Sequence, residues 1–150
     1  MNSSSARTTF PDDTIAPAGQ RLALAIRAEL ATRTGNVEDA LRHLEQIRPS
    51  PTIDLLQEPI LNQGFERFLR AELLRMTGCG DEALSWYEGL IDGPTLESIH
   101  IAPAYLRSAE LLRVAGDSAG ASAMMRWFDG LWADADPDLL TWARSRAERR

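Results

Sequence analysis

The residues able to do chemistry are few, and their spacing argues against most of it. His43 lies in a stretch with helical periodicity and has Glu45 nearby, while His100 is expected in a loop. Neither stands at a recognisable motif distance from a serine, cysteine or acid, as nucleophilic catalysis requires. The one cysteine, Cys79, sits in a Gly78-Cys79-Gly80 joint, expected to be exposed, with no histidine or arginine beside it in sequence to lower its pKa. Asp134, Asp136 and Asp138 alternate as at the start of a calcium loop. That loop's glycine, however, would fall at Leu139 and its closing glutamate at Ser145, so a helix cap and a turn explain the acids better. The chain contains no lysine, which removes Schiff-base chemistry and a phosphate-loop lysine. No catalytic residue, metal or cofactor is expected, and the chain reads as a non-enzyme.

Two patterns of larger side chains remain. Trp86, Trp127, Trp132 and Trp142 could line an aromatic pocket or fill gaps in a core. More regular is a set of charges. Glu29, Glu72 and Glu110 follow Arg27, Arg70 and Arg107, and precede Arg33, Arg75 and Arg113 by about one helical turn. Pairs at that spacing form intrahelical contacts worth about 0.2–0.5 kcal/mol each. Arginine forks can also grip carboxylates on a partner.

The elements that carry these charges are three copies of one unit: AELATRTGNVEDALRHLEQI from Ala28, AELLRMTGCGDEALSWYEGL from Ala71 and AELLRVAGDSAGASAMMRWF from Ala109. Successive copies are offset by 43 and 38 residues, in the range of helical-hairpin repeats. In each, a helix ends at a glycine (Gly35, Gly78, Gly116), which takes the left-handed conformation at least cost. A polar residue then caps the next helix: Asn36, Asp81 or Asp117. An alanine five residues past the glycine (Ala40, Ala83, Ala121) lets the two helices approach closely. Such a pair cannot bury its own apolar face, so copies must stack.

In chain order, residues 1–17 are rich in Ser and Thr, lack the apolar core of a signal peptide, and read as a flexible arm. Residues 18–150 read as one helical repeat domain. Helices are expected over 18–34, 36–48, 62–77, 81–91, from Pro103 to Gly116, over 118–133 and from Pro137 to Arg149, with Asp136 capping the last. Pro49, Pro51 and Gly93-Pro94 break the chain between pairs. No run is apolar enough to span a bilayer. A net charge of -6 and a pI near 4.9 argue against nucleic acid or an anionic membrane as partner. One cysteine fits a reducing compartment, so a cytoplasmic location is expected.

The glycine, the alanine and the aromatic Tyr87 resemble the tetratricopeptide (TPR) repeat in a degenerate form. The segments FERFLRAELL (65–74), EALSWYEGL (82–90), APAYLRSAELL (102–112) and LWADADPDL (131–139) are similar to the C-terminal repeat region of large bacterial signalling proteins. Those proteins join such repeats to Ser/Thr kinase, nucleotide cyclase or transcription-activator domains. The resemblance covers roughly residues 20–148. It implies an all-α, right-handed α-α superhelix of three hairpins plus a C-terminal capping helix. It also implies that the first helix of each pair faces a concave groove, which would place Glu29, Arg33, Glu72, Arg75, Glu110 and Arg113 along a partner-binding ladder. The function expected is a protein-interaction scaffold or regulatory module that binds a protein, a peptide or itself. The alternative is a small-ligand sensor relaying a signal to an effector. Finally, Leu22 to Ala31 is polar only at Arg27 and Glu29. A terminal helix this apolar needs cover, so Leu22, Leu24, Ile26 and Leu30 are expected to form a homodimer face.

Overall fold

The computed structural model describes residues 12–47, 63–93 and 98–148, and among them all regular structure is helical. The helices are α1 (Asp12–Arg33), α2 (Val37–Glu45), α3 (Gly64–Met76), α4 (Gly80–Ile91), α5 (Ser98–Val114), α6 (Ser118–Leu131) and α7 (Pro137–Glu148). No described helix is long and apolar enough to cross a membrane. The chain divides into two compact units, residues 1–48 with α1 and α2, and residues 49–150 with the other five helices. Residues 1–11, 48–62, 94–97, 149 and 150, and with them the expected breaks at Pro49, Pro51 and Pro94, lie outside the described residues.

The joint after α1, α3 and α5 is the same object three times. Gly35, Gly78 and Gly116 have φ of 78°, 83° and 86°. In each joint the glycine N–H donates to the carbonyl three residues back, at Thr32, Arg75 and Arg113. The next N–H reaches five residues back: Asn36 to Ala31 at 2.8 Å, Cys79 to Leu74 at 2.9 Å and Asp117 to Leu112 at 2.9 Å. This crossed pair satisfies carbonyls that a helix C-terminus otherwise leaves without partners. The alanine five residues on is buried in every copy.

Several local expectations need correction. α1 starts at Asp12, six residues before the expected helix start. Asn36 and Asp117 cap as expected, accepting from the N–H of Asp39 and Gly120. In the central copy Asp81 does not: α4 opens at Gly80, the cap position is Cys79 with no side-chain bond, and Asp81 falls in the first turn. His100 lies in α5 and not in a loop. Pro103, expected in that helix's first turn, stands well inside it. Its missing N–H releases the carbonyl of Ile99, close enough to the helix start for the helix to continue. Asp136 does cap α7, accepting from the N–H of Asp138 at 2.9 Å.

Within the first unit, α1 packs on α2, with Leu24, Ala25, Ala28, Ala31, Ala40 and Leu44 buried. Within the second, α3 packs on α4, α4 on α5 and α5 on α6; α3 also touches α5, and α7 touches α5. Leu73, Tyr87, Leu90 and Phe128 are the large side chains closed off from water there. Each contributes about 1.5–3 kcal/mol by burial. Ala102, Leu106 and Phe128 form a cluster against which Tyr105, Met125, Trp132 and Leu140 pack.

Candidate functional site

The recurring charges converge at one place, where α3, α4 and α5 meet. Glu72, midway along α3, takes a hydrogen bond from Arg75 one turn later at 3.0 Å. The hydroxyl of Tyr87 on α4 donates to its Oε1 at 2.5 Å. Arg107 on α5 donates through Nε to the same oxygen at 3.0 Å, and through Nη1 to both oxygens of Glu110 at 2.9 and 3.0 Å. Two carboxylates and two guanidinium groups balance in charge. The side chains of Arg75 and Glu110 are only 12% and 13% exposed, so these are no longer weak surface pairs.

The electrostatics follow from this geometry. Burial opposes the charged form of Glu72, but the Arg75 hydrogen bond, the Arg107 charge and the Tyr87 hydroxyl outweigh it and hold its pKa below the ordinary value. Burial prevails at Glu110 and raises its pKa despite Arg107. Burial and the Glu72 charge together push the Tyr87 phenol far up, so it stays protonated as a donor. At Arg75 burial acts against the charge, and the Glu72 carboxylate more than restores it. Such an arrangement holds three helices in register.

Of the six residues expected on the ladder, Glu72, Arg75 and Glu110 therefore lie inside a network rather than along an open surface. Glu29 and Arg33 pair with each other at 2.7 Å in the other compact unit, and Arg113 is exposed near the end of α5. Two members of the network were absent from the expected set. Arg107 belonged to the repeating pattern but was not placed in the groove, although its spacing to Glu110 is a legible one-turn pair. Tyr87 reads in sequence as the repeat's aromatic and as part of the buried face of its helix, where it is fully buried, and only the role of its hydroxyl carried no signal.

The remaining candidates disperse. His100 stacks on Phe68 with ring centres 5.2 Å apart, and burial lowers its pKa. His43 lies 3.6 Å from Asp39. Trp86 sits beneath Arg70 at 4.7 Å, Trp127 stacks on Tyr105, and Trp132 stacks on Phe128, so the three tryptophans whose side chains are described do not share a pocket. Among the described residues no group of three His, Cys, Asp or Glu could hold a metal.

The described residues of the second unit form open clefts, two of which lie along α5. One, of about 450 Å³, lies between the start of α4 and the end of α5, lined by Cys79, Asp81, Glu82, Leu84, Leu111 and Val114 among others. The other, of about 400 Å³, lies between α5 and α6 and includes Arg113, Met125, Arg126 and Asp129. Tryptophan lines neither.

No protein-family model, curated protein or solved structure matches the chain.

Proposed function

We propose that this chain is a non-catalytic protein-interaction module, a scaffold or regulatory element of bacterial signalling that works in the cytoplasm. In this reading α3 to α6 are successive hairpins of a right-handed TPR-like superhelix, α7 is its cap, and α1–α2 is a further copy of the same unit. The observation that carries the reading is the triple recurrence of the glycine joint with its crossed hydrogen bonds and buried alanine. Repeated helix pairs of one geometry are a means of building extended docking surface. The two clefts along α5 are open, as a docking surface is, whereas a sensor pocket buries most of its ligand.

Self-association belongs to the same proposal. Leu22, Ile26 and Leu30 recur every four residues along α1, at 47%, 60% and 62% exposure, and form one apolar stripe. A second copy pairing symmetrically through this stripe would cover it. Leu24 is buried at 6% and belongs to the core, so it drops out of the expected face.

Affinity capture from the source cells, followed by reconstitution of the captured partner with purified protein, tests the proposal. A stoichiometric protein complex is expected; capture of small metabolites with no protein complex would overturn it.

A further inference from the structure

We infer that the cleft between the start of α4 and the end of α5 docks a peptide segment of a partner protein, one carrying an apolar side chain beside arginine or lysine. This rests on the interaction-module reading and names the surface and the chemistry of its partner.

The apolar part of the argument comes from Val114. It is 83% exposed at the mouth of the cleft, beside the half-buried Leu84 and Leu111. The position two residues before the joint glycine is Arg33 in the first copy, where the side chain is 75% exposed. The fold accepts a charge at that position, so packing does not require valine there. An exposed β-branched residue next to leucines instead suits an apolar contact with another chain.

The charge comes from the opposite lip. Asp81 and Glu82 are exposed, and none of the residues lining the cleft is basic. Among the described residues neither carboxylate has a cation within ion-pair distance. The first copy again supplies the comparison. Asp39, which corresponds to Glu82, pairs with Arg42 at 2.5 Å. The residue corresponding to Arg42 is Ser85, whose hydroxyl bonds the Asp81 carbonyl instead. Both acids do complement the positive end of the α4 dipole. They nevertheless keep their outward lone pairs, and the negative end of the α5 dipole lies across the same cleft. An apolar floor with an acidic lip selects a basic-apolar segment and repels an acidic one.

The test is selection of a random twelve-residue peptide library on the whole purified chain, with the same selection on Val114→Arg and on Asp81→Asn/Glu82→Gln. Circular dichroism establishes that the variants are folded. The result expected is an enriched class with net positive charge and at least one large apolar residue. A synthetic member of that class should shift amide resonances of residues 78–84 and 111–115, and bind at least about tenfold more weakly to either variant and in high salt. Enrichment of acidic or uncharged peptides, enrichment of none, or binding unaffected by the variants would overturn the inference. So would a change in the protein's solution mass on substituting Val114 without peptide binding, which would make the cleft a contact between copies. If a partner captured from cells binds both variants as tightly as the parent, the interaction-module reading stands and this cleft is not its site.

Discussion

The hydroxyl of Tyr87 donates to the carboxylate of Glu72 at 2.5 Å, linking α4 to α3 at the point where Arg107 of α5 meets the same oxygen. One carboxylate thus joins three helices. Removing it leaves Arg75, whose side chain is 12% exposed, without its counter-charge, and leaves Arg107 with Glu110 alone. Glu72→Ala should cost about 3–5 kcal/mol, as breaking a buried pair does. Tyr87→Phe, which leaves one acceptor short of a donor, should cost about 1–3 kcal/mol. Glu29→Ala, in the exposed pair of α1, should cost less than about 1 kcal/mol. Urea unfolding of the three variants checks the order. Equal losses for Glu72→Ala and Glu29→Ala would mean that the network holds nothing together.

The same comparison separates the three arginines of the expected ladder. Arg33→Gln and Arg113→Gln should change stability by no more than about 0.5 kcal/mol, as exposed substitutions usually do. Arg75→Gln should cost more, since its side chain is 12% exposed and bonded to Glu72. A triple substitution would therefore confuse loss of binding with loss of fold.

Gly78 has φ of 83° and open space where a Cβ would stand. The cost of a side chain there is conformational and not a clash. Gly78→Val should lose about 1–3 kcal/mol, the usual cost of holding a non-glycine residue in a sparsely populated region. Gly78→Asn should lose less, because asparagine tolerates this region. Thermal unfolding decides between them; equal losses would point to a different cause.

Acid sensitivity near neutrality should come from His100. Burial lowers its folded pKa from the ordinary 6.5, so the unfolded chain binds the proton first. Stability is full above 6.5 and is lost as pH falls from 6.5 towards the folded value. His100→Phe keeps a ring against Phe68 and should flatten the difference in unfolding free energy between pH 7.5 and pH 5.5. A variant as acid-sensitive as the parent would contradict this. The carboxylates act with opposite signs on either side of 4.5. The raised pKa of Glu110 returns some stability as pH falls towards 4.5, and below 4.5 the lowered pKa of Glu72 withdraws stability as it protonates.

The apolar stripe of α1 predicts a dimer that Ile26→Glu converts to monomer with little change in helix content. Light scattering at micromolar concentration measures it. A monomer mass for the parent chain would remove self-association from the account.

What could be read from sequence followed from local physics. The joint glycines were legible because three of them stood at the same distance from the same neighbours, and only one backbone conformation makes glycine worth repeating. Asn36 and Asp117 were legible as caps for the same reason, and Asp136 because Pro137 follows it at the first helical position. Asp81 misled because Cys79 and Gly80 let the helix begin earlier. Pro103 misled by suggesting a helix start, which left His100 outside α5. The junction of Glu72, Tyr87 and Arg107 could not be read, because its members are 15 and 35 residues apart and meet only when three helices pack. On α1, a nearly unbroken apolar run concealed which leucines face in. Leu24 is core while Leu22, Ile26 and Leu30 are not.

The claim that the chain works by docking another protein is tested most directly by calorimetric titration of the purified chain with the partner recovered by affinity capture from its source cells. A saturable, stoichiometric complex whose affinity falls as salt is added is the result predicted. If no captured protein binds the purified chain, the interaction-module account is contradicted.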